Sequence, residues 1–123
     1  MVLHSWKELI ERNPDLQVVH TCNSASCALQ LCESMQPDLL LVDIKMSPTN
    51  GFELASEVSR KWPSIRIIGF SVNDQPAYAL KMIASGGHGY LTKTSTLEEI
   101  NFAITEISAG KNYICEEVRS KME

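Results

Sequence analysis

The chain has 123 residues, of which 44% are hydrophobic and 21% are charged, and its formal net charge is -4. It has room for one globular domain but not for two, and its acidic balance argues against direct binding to nucleic acid or to an anionic membrane. We find no signal peptide and no apolar run that could span a bilayer, so we expect a cytoplasmic location. Without a CxxC pair, the cysteines are predicted to be free thiols: Cys22, Cys27, Cys32 and Cys115.

Amphipathic segments alternate with short apolar runs, the pattern of strand–helix units around a parallel sheet. Strands are predicted at residues 16–21, 39–43, 65–71 and 89–93. Helices are predicted at 5–12, from 23 or 24 to about 35, from 51 to about 62, from 73 to about 85, and from a capping box at 95–98 to about 110. The order begins with a helix, which is unusual for such a sheet. Residues 111–123 are expected to form a polar tail or the start of a linker.

Three polar residues close successive predicted strands: Asp43, Ser71 and Lys93. Ligands of open α/β sheets bind outside the carboxyl ends of the strands, so these side chains are expected to converge at one edge. A carboxylate can accept a phosphoryl group, an ammonium can pair with that group, and a hydroxyl can donate a hydrogen bond to it. An ordinary ion pair between Asp43 and Lys93 that closes the sheet explains the same pattern equally well.

The stretch at residues 37–51 resembles the phospho-acceptor segment of response-regulator receiver domains, with Met46 three residues and Gly51 eight residues after Asp43. It departs from the family pattern at Ser47, where a proline is usual, and Pro48 comes one place late.

Further spacings are similar to those of the same family. Ser71 follows Asp43 by 28 residues, as the family's switch hydroxyl does, and Lys93 follows Ser71 by 22, as its active-site lysine does. Tyr90, three residues before Lys93, matches the switch aromatic. The stretches 87–93 and 107–111 most resemble receivers attached to LuxR-type helix-turn-helix domains, whereas Thr94 stands where the family often has proline.

The resemblance implies an α/β fold of the flavodoxin-like receiver type, a parallel sheet in the strand order 2-1-3-4-5 with helices on both faces, formed as one domain by residues 1–123. It implies a two-component signalling domain that is not an enzyme, with a sensor histidine kinase or a phosphotransfer protein as partner. Asp43 would accept the phosphoryl group, Lys93 would contact its oxygens, Ser71 would donate to one of them, and Tyr90 would turn inward as Ser71 moves.

The family's first strand, which is central in the sheet and ends in two acidic residues, would precede Met1. In the family, that acidic pair holds Mg²⁺ together with the acceptor carboxylate, here Asp43, and a backbone carbonyl, here that of Lys45. Without the pair, Mg²⁺ binding is expected to be weak or absent and phosphorylation impaired. The gap in the sheet predicts an altered sheet, a homodimer or a strand-exchanged dimer. The sequence is then either truncated or that of a degenerate receiver.

Two other functions compete with a phosphorylatable receiver. A degenerate pseudo-receiver would act as a phosphorylation-independent interaction or dimerisation module through a face that carries Tyr78, Lys81, Tyr90 and Lys93. A small flavodoxin-like enzyme is disfavoured, because no Gly-rich phosphate loop follows any predicted strand and no Cys/His or Ser/His pair lies at the strand ends.

Overall fold

The computed structural model describes residues 11, 25–44 and 51–122. Helices and strands alternate through these ranges and confirm the predicted α/β class. The helices are α1 (Ala25–Met35), α2 (Gly51–Lys61), α3 (Pro76–Ala84), α4 (Leu97–Ser108) and α5 (Glu116–Arg119), and the strands are β1 (Leu39–Asp43), β2 (Arg66–Ser71), β3 (Gly89–Thr92) and β4 (Tyr113–Ile114). Across the described ranges, every helix is too short or too polar to cross a lipid bilayer.

The four strands form one parallel sheet in the order β1-β2-β3-β4. In the register of the first two pairs, Asp43 lies opposite Phe70, and Ser71 lies opposite Thr92. Because the strands run in the same direction, β1, β2 and β3 end at the same edge of the sheet. This edge is where the sequence predicts that the functional groups converge.

The core lies on both faces of β2. Ile67, Ile68 and Phe70 are fully buried although they alternate in direction along the strand, since helices cover the two faces. Buried side chains of the surrounding helices complete this core: Leu54, Ala55, Val58, Ala79, Met82, Ile100, Ala103 and Ile107. Burial on both faces explains why residues 67–70 form an uninterrupted apolar run in the sequence.

Residues 113–119 of the predicted tail form a short strand and a short helix. Tyr113 and Ile114 pair with β3 as a fourth strand, and Cys115 and Val118 in the following turn and helix are fully buried. A two-residue strand followed by one helical turn is too short to show a hydrophobic period, and for this reason the sequence pattern did not reveal it.

The N-terminal cap of α4 lies one residue later than predicted. Thr96 is the N-cap, and its side-chain oxygen accepts a hydrogen bond from the backbone N–H of Glu99 at 3.2 Å. The predicted box began at Ser95, but residues 96–99 have the same Thr-x-x-Glu form. Glu99 does not complete the box in the usual way, because its carboxylate accepts hydrogen bonds from the Tyr113 hydroxyl and the Glu116 backbone N–H.

Several predictions fall outside the described residues. They are the strand at 16–21, the helix at 5–12 apart from Glu11, which is helical, and the position of Lys45. No described strand pairs with the second edge of β1. The predicted gap in the sheet, and the dimer that would fill it, therefore stay predictions.

His88 connects the loop before β3 to β2 through its side chain. Its Nδ1 accepts a hydrogen bond from the Ile67 backbone N–H at 3.0 Å, and its own backbone N–H donates to the Ile67 carbonyl at 2.7 Å. Burial, and to a lesser degree the positive charge of Arg66, lowers the pKa of His88 below its ordinary value of 6.5. The ring is therefore held in the neutral form that can accept this hydrogen bond.

We expect the free energy of unfolding to decrease as the pH is lowered, because of the lowered pKa of His88. In the unfolded chain His88 titrates at its ordinary pKa of about 6.5, so its contribution is fully present above that pH. It is lost as the pH falls through the lower pKa of the folded state. Urea unfolding at pH 7.5 and at pH 5 should show a smaller loss for His88→Asn, which keeps a neutral acceptor, than for the parent chain. An equal loss in both chains would contradict this role.

Candidate functional site

Asp43, Ser71 and Lys93 lie together at the carboxyl edge of the sheet, as predicted. Asp43 is the last residue of β1, Ser71 is the last residue of β2, and Lys93 directly follows β3. The Lys93 backbone N–H donates to the Ser71 carbonyl at 2.8 Å, which continues the strand pairing into the turn and fixes where the lysine begins.

The centre of this edge is an ion pair between Lys93 and Asp43. Lys93 Nζ lies 2.9 Å from Asp43 Oδ2, and the two side chains are 18% and 25% exposed. The ammonium also lies 5.4 Å from the centroid of the Phe70 ring, a cation–π distance. The carboxylate is thus held by a cation yet remains in contact with solvent.

Ser71 is 1% exposed and its hydroxyl is oriented by the loop that follows. Its Oγ accepts a hydrogen bond from the Asn73 backbone N–H at 3.1 Å. A hydroxyl can accept and donate at the same time, and the Ser71 hydroxyl also interacts with that of Tyr90.

Tyr90 is fully buried in this structure. Its hydroxyl donates to the Asn73 carbonyl oxygen at 2.6 Å. Burial raises the pKa of Tyr90 to about 12, although the neighbouring Ser71 hydroxyl acts in the opposite direction. The aromatic ring is therefore inside the molecule, neutral, and bonded to the same loop residue that orients Ser71.

Asn73 is a site residue that sequence reasoning missed. Its backbone N–H donates to the Ser71 hydroxyl, and its carbonyl accepts from the Tyr90 hydroxyl. Its side-chain Oδ1 accepts a hydrogen bond from the Gln75 backbone N–H at 2.8 Å. The sequence indicated only that residues 73–76 start a helix. The other two bonds are made by backbone atoms, which every residue type carries, so the sequence holds no signal for them.

Gly51 allows α2 to begin directly against the end of β1. Its backbone N–H donates to the Ile44 carbonyl at 2.9 Å. A Cβ at this position would lie 2.8 Å from the Asp43 carbonyl oxygen and 2.8 Å from the Ile44 Cα. Because both are backbone atoms, they cannot move aside as a side chain could. The glycine eight residues after Asp43 therefore meets a packing requirement of the site.

The described side chains do not by themselves form a magnesium site. In the part of the chain that the structure describes, no three or more His, Cys, Asp or Glu side chains are grouped to hold a metal ion. Asp43 contributes one carboxylate to this edge, and Lys45, whose carbonyl is the other predicted ligand, lies outside the described residues.

Comparison with known proteins assigns this arrangement to a family. The family model described as "Response regulator receiver domain" matches residues 1–105. The chain belongs to the response-regulator receiver family. The expected family and its flavodoxin-like fold are thus confirmed, and the four described strands follow one another in the order that such a receiver requires.

Relatives and a solved structure agree with this assignment. The receiver is 33% identical to the nitrate/nitrite response regulator NarL of Escherichia coli over 110 residues, which are 89% of this chain and 51% of NarL. It is 30% identical to the response regulator GacA of Pseudomonas aeruginosa over 107 residues, 87% of this chain and 50% of GacA. A LuxR-family response regulator from Aurantimonas superposes with a TM-score of 0.92 at 29% identity, covering 97% of this chain and 85% of that one. The chain spans about half the length of these two curated relatives.

We expect Gly51→Ala to lower the free energy of unfolding of the receiver by about 1–3 kcal/mol, the usual cost of forcing extra volume into a packed region. Ser56→Ala, an exposed position in the same helix, is the matched control and should change it by less than about 0.5 kcal/mol. Urea unfolding measures both. Equal stability of the two variants would show that the backbone around Asp43 can shift to accept a side chain.

Proposed function

We propose that this chain is a two-component receiver domain in which Asp43 accepts a phosphoryl group from a sensor histidine kinase or a phosphotransfer protein. One observation supports this most directly: a partly exposed carboxylate lies 2.9 Å from the Lys93 ammonium, at the strand edge that also carries Ser71. In this role the chain is a regulator and not an enzyme.

The chemistry of the step follows from these groups. A carboxylate oxygen of Asp43 attacks the phosphorus of a phosphohistidine, an acyl phosphate forms, and the bond from phosphorus to the histidine nitrogen breaks. Formation of the acyl phosphate removes the carboxylate charge with which Lys93 now pairs. The ammonium then pairs with the phosphoryl oxygens, which carry roughly -1.5 to -2 charge at neutral pH.

In this proposal the Ser71 hydroxyl donates to a phosphoryl oxygen on Asp43, since a hydroxyl whose oxygen accepts from the Asn73 N–H can donate as well. Receiver domains generally use Mg²⁺ for phosphorylation, which in this site would supply positive charge beyond that of Lys93. Weak Mg²⁺ binding by this chain remains our prediction, and the Mg²⁺ dependence of its modification measures it.

A phosphorylation-independent interaction or dimerisation module is the second candidate. The observation in its favour is that the outer face of α3 carries a large exposed apolar side chain, that of Leu80. Not all of the expected partner face is available, because Tyr90 is internal and Tyr78 packs edge-on against Phe52. The exposed part of α3 includes Lys81 and Leu80, the latter 52% exposed. A homodimer, or a strand-exchanged dimer, would be the simplest form of such a module.

Incubation with acetyl phosphate and Mg²⁺, followed by intact-mass measurement, should show addition of one phosphoryl group. Asp43→Asn should abolish the addition, because an amide is not a nucleophile for phosphorus, and Lys93→Met should reduce it at least tenfold. Asp38→Asn is the matched control, since Asp38 is an exposed carboxylate at the opposite end of the same strand. Modification that persists in Asp43→Asn, or the same loss in both Asn variants, would refute the acceptor role of Asp43.

The second candidate makes a different prediction. If the chain acts through contacts alone, sedimentation equilibrium should give the same dimer dissociation constant for the parent chain, for Asp43→Asn and for the parent chain with beryllofluoride and Mg²⁺. A constant that changes more than about threefold on beryllofluoride addition, and only when Asp43 is present, would favour the phosphorylated receiver instead.

A further inference from the structure

Residues 113–122, here called the C-terminal segment, contact both loops that carry the candidate site. The segment contains β4 and α5 and continues to Met122. One of its acidic side chains accepts a hydrogen bond from the turn around Lys93. One of its basic side chains donates a hydrogen bond to the loop after Ser71. Lys93 and Ser71, which are expected to contact a phosphoryl group, each lie beside a polar contact with this segment. We call these two contacts ties.

The first tie is made by Glu117. Its Oε1 accepts hydrogen bonds from the Thr92 hydroxyl at 2.9 Å and from the Thr94 hydroxyl at 3.3 Å. Thr92 precedes Lys93 and Thr94 follows it, so one carboxylate holds the backbone on both sides of the lysine. Thr92 is 2% exposed, which shields its bond from solvent.

The second tie is the ion pair between Lys121 and Asp74. Asp74 directly follows Asn73, the residue that bonds both Ser71 and Tyr90. The hydrogen bond from Lys121 lowers the pKa of Asp74, so the carboxylate stays charged at neutral pH. Both side chains are partly exposed, which makes this tie weak enough to open.

The start of the C-terminal segment is anchored much more firmly. Cys115 and Val118 are fully buried, and the Glu99 carboxylate accepts hydrogen bonds of 2.8 Å from the Tyr113 hydroxyl and from the Glu116 backbone N–H. The segment is thus fixed at β4 and held by weaker ties beyond α5. Its end can be released while its start stays in the sheet.

We propose that the C-terminal segment is an autoinhibitory clamp, which holds the two site loops at their present spacing and opposes occupancy of Asp43. This inference rests on the proposed acceptor role of Asp43. An acyl phosphate places a phosphorus atom and its oxygens where Lys93 now lies 2.9 Å from the carboxylate. Lys93 and the Ser71 loop must shift to surround it, and they carry Thr92, Thr94 and Asp74 with them. The ties then lengthen, so occupancy of Asp43 and docking of the segment oppose each other by the same factor.

The first test is the affinity for beryllofluoride in the presence of Mg²⁺. Lys121→Gln removes one tie and should bind beryllofluoride roughly twofold to fivefold more tightly than the parent chain, the factor that corresponds to loss of an exposed ion pair. Lys111→Gln is the matched control, because it removes the same charge and an ion pair with Glu106, with a 3.9 Å separation, on the α4 side of the molecule. Equal affinities in the Lys121→Gln and Lys111→Gln chains would overturn the clamp.

The second test needs no ligand. Ser71→Ala removes the acceptor that holds the Asn73 N–H, so the clamp predicts at least threefold faster amide hydrogen exchange at residues 120–122. Thr105→Ala, which removes an exposed hydroxyl bond within α4, should leave that exchange unchanged. Unchanged exchange in Ser71→Ala would overturn the clamp. If beryllofluoride binds neither chain, the acceptor role of Asp43 fails, and this exchange measurement decides on the clamp alone.

Discussion

The ion pair between Asp43 and Lys93 joins residues that are 50 positions apart in the chain, and the rest of the site is arranged around it. It can form only because β1, β2 and β3 are parallel and in register, so that their last residues meet at one edge. The backbone bond from Lys93 to the Ser71 carbonyl then determines where the lysine leaves the sheet. A change of register in β2 would separate the cation from the carboxylate and remove the site without any change in its residues.

The parts of the fold predicted correctly are those whose sequence pattern has a direct physical cause. The middle of β2, residues 67–70, is apolar because helices cover both of its faces. Asp43, Ser71 and Lys93 could be placed together because parallel strands end on one side. The parts that sequence analysis missed lack such a pattern. β4 has only two residues, and the bonds of Asn73 to Ser71 and Tyr90 use backbone atoms. The N-cap of α4 was misplaced by one residue because two overlapping stretches have the capping-box form.

The buried position of Tyr90 bears on both candidate functions. Its hydroxyl donates to the Asn73 carbonyl in the core, and leaving a buried hydroxyl donor unpaired is costly. Ring position and loop conformation are therefore coupled: a loop that moves toward a phosphoryl group must carry the Tyr90 hydroxyl with it or lose this bond. For a phosphorylatable receiver this is a restraint on switching. For a phosphorylation-independent module it is a means of keeping one surface constant.

The charges around Asp43 limit how a phosphoryl group could be stabilised there. Replacing a carboxylate by an acyl phosphate changes the charge at the acceptor from -1 to roughly -1.5 to -2, while Lys93 contributes one positive charge. Lys121 is engaged by Asp74, and Lys81 lies 4.7 Å from the centroid of the Phe52 ring. The remaining charge has to be met by a bound cation or by hydrogen-bond donors such as the Ser71 hydroxyl. In the clamp proposed here those donors are held by the loops that the C-terminal segment ties down, so the position of that segment and the stability of a phosphorylated state would be two measures of the same equilibrium.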